Sequence, residues 1–98
     1  MAEVAERFER DYGCTEAEWL RWLPEATQGH PLAVQPGHAQ VRLGAGTLDI
    51  AWQALPPRRI ALVTLPRLGV RFAYRGVDAE ARRAFQRLFD LSTQRGGG

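Results

Sequence analysis

The stretch Arg59 to Arg75, RIALVTLPRLGVRFAYR, is the most apolar and β-branched segment of the chain. It predicts two strands, and the rest of the fold has to be arranged around them. Strand side chains alternate with period two. Leu68, Val70, Phe72 and Tyr74 therefore share one side, and Arg67, Gly69, Arg71, Ala73 and Arg75 share the other. Pro66-Arg67 reads as the turn between the strands, because proline presets the backbone at the first central position of a turn. A turn there sets Leu65 opposite Leu68, Val63 opposite Val70 and Ala61 opposite Phe72. One face of the predicted hairpin is then uniformly apolar. The second face is mixed, with Ile60, Leu62 and Thr64 beside Gly69, Ala73 and the arginines.

Upstream the same alternation recurs. Ala39, Val41 and Leu43 alternate, Gly44 to Thr47 turns the chain, and Leu48, Ile50, Trp52 and Ala54 alternate again. Pairing Leu43 with Leu48 puts Val41 opposite Ile50 and Arg42 opposite Asp49, a favourable cross-strand ion pair. A further turn at Pro56-Pro57-Arg58-Arg59 sets Leu55 opposite Ile60 and Trp52 opposite Val63. The apolar face stays consistent across all four strands, which predicts an antiparallel meander.

Helices are expected at both ends. Over residues 2–12, Val4, Phe8 and Tyr12 recur every four positions, and Gly13 suits a left-handed cap. Thr15-Glu16-Ala17-Glu18 is a capping box that opens a second helix carrying Trp19, Trp22 and Leu23, with Pro24 at its end or at a kink. Residues 24–38 read as a loop punctuated by glycine and proline, and they hold both histidines, His30 and His38. Asp78 caps a last helix whose apolar stripe is Ala81, Phe85, Leu88 and Phe89. That helix is expected on the apolar face, since an antiparallel sheet needs one face covered. From Ser92 the chain runs into three glycines and is expected to lose order. The predicted fold is α+β: two N-terminal helices, a four-stranded antiparallel meander sheet, and a C-terminal helix packed on the sheet (α-α-β-β-β-β-α). It forms one domain over 1–95, followed by a disordered glycine tail, 96–98.

With 98 residues the chain has material for a single core. Its apolar runs last only a few residues, so no membrane span or membrane partner is expected, and the charged N-terminus carries no apolar signal region. The one cysteine, Cys14, has no internal disulfide partner, which suits a reducing, cytoplasmic setting. All the basic residues are arginine; with abundant Ala, Gly and Pro, that points to a GC-rich bacterial genome. The net charge of +2 is unevenly spread: residues 1–30 carry −4 and residues 31–98 carry +6. The simplest expectation is that the acidic N-terminal part packs on or near the basic sheet.

Function is expected on the mixed second face. Three occupants fit it: the acidic N-terminal helices, with Trp19 and Trp22 over Leu62 and Ala73; a second copy of the chain; or a partner protein or nucleic acid. No catalytic, cofactor or metal motif emerges. Cys14 has no spacing that ties it to His30 or His38, and neither Cys-x-x-Cys nor His-x-x-x-His occurs. Gly44-Ala45-Gly46 is followed by a strand rather than a helix, so it is no phosphate cradle. The expected role is a non-enzymatic module that self-associates as a homodimer or binds a partner protein, with Ile60 and Leu62 as apolar anchor and Arg67, Arg71 and Arg75 as a basic row. Nucleic acid bound through that row is the alternative. At the level of element order, with no shared motif residues, the predicted strands and helix are similar to the Whirly and Pur single-strand-binding repeats and to the Alu-RNA-binding proteins of the signal recognition particle. Against that alternative, Phe72, Tyr74 and Trp52 point to the opposite face, away from the arginines.

Overall fold

A computed structural model describes residues 4–94. Its order is β1 (Arg7–Tyr12), α1 (Glu16–Ala26), β2 (Leu32–Gln35), β3 (His38–Leu43), β4 (Gly46–Ile60), β5 (Val63–Arg75) and α2 (Ala79–Gln94). The strands form one antiparallel sheet in the order β1-β5-β4-β3-β2. Among the described residues the architecture is therefore β-α-β-β-β-β-α, an α+β fold with five strands and two helices, and the expectation of two N-terminal helices over a four-stranded sheet is overturned.

The first helix fails because a spacing of four is ambiguous. Val4, Phe8 and Tyr12 lie on one stripe of a helix, but four is also even, so they lie on one side of a strand. In the structure Phe8 pairs with Phe72 and Tyr12 with Leu68. Between them Arg10 breaks the apolar alternation, although it too points toward the helices. It bonds Asp90 of α2, and its guanidinium lies 5.2 Å from the centre of the Phe8 ring.

The expected loop 24–38 is also replaced. Pro24 lies inside α1, which runs on to Ala26 and is closed by Thr27: the Thr27 backbone N–H donates to the Leu23 carbonyl at 3.0 Å, and its hydroxyl donates to the same oxygen at 2.8 Å. Gln28 and Gly29 turn the chain through positive φ, and β2 then pairs with β3. The capping box forms as expected, with the Glu18 N–H donating to Thr15 Oγ1 at 3.2 Å and the Thr15 N–H donating to the Glu18 carboxylate at 2.9 Å.

Both helices lie on the same face of the sheet. Trp19 is fully buried there, with ring centres 5.1 Å from Tyr12 and 5.9 Å from both Trp52 and Phe89. Phe72 meets Phe89 edge-on at 5.4 Å and stacks on Phe8 at 4.8 Å. Leu68, Val70, Phe72 and Tyr74 are all buried, as their alternation predicts. Asp78 caps α2 by accepting the Ala81 N–H at 2.8 Å. The expected stripe on α2 is half right. Phe85 and Phe89 are buried, but Leu88 is exposed, and Gln86 and Thr93 take inward positions. Tyr74 donates to Gln86 Oε1 at 2.6 Å, and Gln86 Nε2 donates to Asp90 at 2.9 Å, so a chain of polar groups links β5, α2 and Arg10. Residues Ser92 to Gln94, expected to be disordered, complete α2; the expected tail 96–98 lies outside the described residues.

Candidate interaction surface

The turns of the central hairpins differ from the predicted ones. Between β3 and β4 the turn is Gly44-Ala45, so Val41 pairs with Leu48 and Gln40, in place of Arg42, faces Asp49. The register moves by two residues, an even number, so the faces are preserved. Between β4 and β5 neither Pro66-Arg67 nor Pro56-Pro57 is a turn. The chain reverses at Ala61-Leu62, with Ile60 paired to Val63, Arg59 to Thr64 and Arg58 to Leu65. Ala61 takes a φ of 53°, the left-handed region that tight hairpins demand. Trp52 therefore faces Val70 rather than Val63, and Ala61 lies far from Phe72.

This register makes β4 and β5 much longer than their neighbours. β1 stops pairing with β5 at Leu68, and β3 stops pairing with β4 at Ala51. Beyond those points the two strands run on alone as a ribbon. Residues 56–66 form an arm on the order of 17 Å long at the usual rise per strand residue. A bulge between Leu55 and Arg58 lets β4 carry one more residue than β5. Prolines 56, 57 and 66 all lie where the strands have left their neighbours. A missing N–H is tolerated on such free edges, and it blunts them against pairing with other chains.

The arm's side chains are exposed. Leu62 is completely so, Ile60 and Val63 are each 54% exposed, and Leu65 is 42% exposed. By register, Arg58, Ile60, Val63 and Leu65 lie on the side that continues the helix-free face of the sheet, and Arg59 and Thr64 lie on the other. Thr64 is thus displaced from the face expected for it. Arg58 and Arg59 are exposed, and neither pairs with any described residue.

The helix-free face of the sheet body has a floor of small residues. Gly69 lies under Leu55, whose side chain would sit 3.2 Å from any added Cβ. Beside it, Arg7, Glu9, Asp49, Ala51, Arg71 and Ala73 line a shallow concavity of about 370 Å³. The N-terminal helices expected to cover this face do not: α1 packs Trp19 on the opposite face, and Trp22 is only partly buried there. The acidic N-terminal part does meet the basic strand, but as an edge strand. Arg67 donates to Asp11 Oδ2 at 2.7 Å, Glu9 is opposite Arg71, and Arg75 Nε lies 3.9 Å from Asp49.

The predicted site residues therefore divide. Ile60 and Leu62 stand at the arm tip, Arg67 is held at its base, and Arg71 and Arg75 lie on the sheet body. Arg71 is eight residues along β5 from Val63, roughly 26 Å away in extended chain. Val63 and Leu65 belong with Ile60 and Leu62, and the sequence reading missed them. A signal was present: Pro57 and Pro66 lie at equal distances either side of Ala61-Leu62.

Other reactive groups are held apart. Cys14 is buried, and burial, with the Glu18 carboxylate nearby, pushes its thiol up to about 11, so it is protonated at neutral pH. The His30 ring packs on Phe85, and His38 lies 3.7 Å from Asp49. Among the described residues no group of three His, Cys, Asp or Glu side chains is placed to hold a metal ion. No described helix is long and apolar enough to cross a membrane. The chain matches no protein-family model, and no curated protein is significantly similar to it.

Proposed function

We propose that this chain is a non-enzymatic binding module whose working element is the arm formed by β4 and β5, with the sheet and helices as its scaffold. The observation that carries this reading is the exposure of Ile60, Leu62, Val63 and Leu65 together at one protruding tip. Scattered surface apolar residues need no explanation, but a cluster on a projecting ribbon does. It adds nothing to the core, it draws water onto four branched side chains, and a two-stranded ribbon without further cover is marginal by itself. A contacting surface accounts for all three.

The nucleic-acid alternative through Arg67, Arg71 and Arg75 draws less support. Asp11, Glu9 and Asp49 interleave with those arginines, and the rings of Phe72, Tyr74 and Trp52 are buried on the helical face. The test is a photo-reactive residue introduced at position 62, with a second variant carrying it at the exposed position 80 on α2. Illumination in the expressing cells should give adducts from position 62 and none from position 80. Equal labelling from both, or none from either, contradicts an arm that makes the contact.

A further inference from the structure

Resting on the arm as the contacting element, we infer that its occupant is the surface of an anionic lipid bilayer, into which the tip dips. The first reason is charge. Between Asp49 and Asp78 the sequence contains no acidic residue, and the arm carries Arg58 and Arg59, with Arg67 at its base. Arg67 is engaged by Asp11. Arg58 and Arg59, behind the apolar tip, make no ion pair among the described residues, so a polyanionic surface complements them. A second copy of the chain meeting arm to arm would add its own Arg58 and Arg59 to the contact and no acidic residue from the arm to oppose them, because a two-fold interface uses the same patch on both chains.

The second reason is the amount and kind of apolar surface. A duplex distorted by an inserted side chain accepts a wedge between base steps, and single strands stack on aromatic rings. The arm presents four branched aliphatic side chains and no ring. An apolar phase removes Ile60, Leu62 and Val63 from water together and leaves Leu65, opposite Arg58, at its boundary.

The third reason is depth. Ile60 and Val63 lie two residues beyond the Arg58–Leu65 pair. At the rise of a strand that is about 7 Å, with Ala61 and Leu62 beyond. An element in the bilayer interface buries its apolar part roughly 5–10 Å below the headgroups. With the tip at that depth, Arg58 and Arg59 stand level with lipid phosphates. The expectation of no membrane partner came from the length of apolar runs. That criterion finds spans and does not register a hairpin tip.

The experiment is co-sedimentation of the full chain with vesicles of phosphatidylglycerol and, separately, of phosphatidylcholine. Binding to the anionic vesicles only is expected. Arg58→Gln with Arg59→Gln should weaken it roughly 30-fold, from about fivefold for each arginine near an anionic surface. Leu62→Asp should weaken it by roughly 100-fold or more, through a lost apolar contact and a charge that resists burial. Because Leu62 is fully exposed, circular dichroism should show this variant folded. No binding to anionic vesicles overturns the inference, as does binding that Leu62→Asp leaves intact. A Leu62-dependent dimer in light scattering, or Leu62-dependent binding to an oligonucleotide with none to vesicles, overturns it too. Adducts from position 62 without vesicle binding would sink the lipid assignment and leave the arm as the contact. Failure of both would remove the arm itself.

Discussion

Trp19→Ala is expected to lower stability by about 4 kcal/mol, in line with removal of a large aromatic group from a core. Trp19 joins the helical layer to the sheet. It comes from α1, has no exposed surface, and meets Tyr12 of β1, Trp52 of β4 and Phe89 of α2 through ring contacts of 5.1 to 5.9 Å. A void left among these three rings is large, and closing it around an alanine would require α1 to move toward the sheet. Domains of this size are stable by roughly 5–15 kcal/mol, so the loss is a large fraction of the total. Urea unfolding followed by far-UV circular dichroism measures it. A loss below about 1 kcal/mol would mean that α1 is not seated as described.

Gly46→Ala should cost about 3 kcal/mol, by overpacking rather than by a cavity. Gly46 opens β4 directly against the end of β5. A Cβ there would lie 2.5 Å from the Arg75 carbonyl oxygen and also against the Gly76 carbonyl. Both obstacles are backbone, so no side chain can rotate out of the way. Relief requires moving the end of β5, which leads through Gly76 into α2. Gly44→Ala is the informative comparison. Gly44 sits at a φ of +63° with open space where its Cβ would be, so only the dihedral penalty applies, about 1 kcal/mol. Equal losses for the two variants, read from the same unfolding curves, would contradict this packing.

Much of the core was legible in the sequence because parity survives errors of register. Val41, Leu48, Ile50, Trp52, Leu68, Val70, Phe72 and Tyr74 are buried on one face although most of their partners differ from those expected. Local caps were legible for a similar reason: Thr15 with Glu18, and Asp78 with Ala81, depend on residues three apart. What was lost depended on distant partners. β1 looked helical because a spacing of four fits both elements, and because Arg10 interrupts the strand alternation at an inward position where Asp90, 80 residues away, bonds it. β2 was hidden in a loop because its pairing with β3 outweighs its glycine-rich surroundings. The arm was missed because proline was read as a turn. Prolines 56, 57 and 66 instead sit on free edges, and Ala61 takes the left-handed conformation usually left to glycine or asparagine. Ile60 and Leu62, expected at the centre of a face, lie at the end of a projection.

The same displacement changes the surroundings of the arginine row. Arg67, Arg71 and Arg75 do share one face of β5, as the alternation requires. Asp11 of β1 bonds Arg67, Asp49 of β4 lies 3.9 Å from Arg75, and Glu9 of β1 is the register neighbour of Arg71; the acidic N-terminal part was expected near this sheet as a helix, and it arrives as an edge strand. With Asp11 and Glu9 on the edge beside them, the row is interleaved with acids, whereas Arg58 and Arg59 have no acidic neighbour on the arm.

Amide hydrogen exchange on the dilute free protein is the most direct measurement of whether the arm stands outside the folded core. Exchange protection scales with the cost of opening, and a ribbon with both edges in water opens at little cost. Amides of residues 58–65 should exchange early, while those of Ile50 and Phe72, buried mid-sheet, persist to the slowest class. Protection of the arm equal to that of Ile50 and Phe72 would mean that the tip is already covered by the protein itself, and an arm held free for a partner would be contradicted.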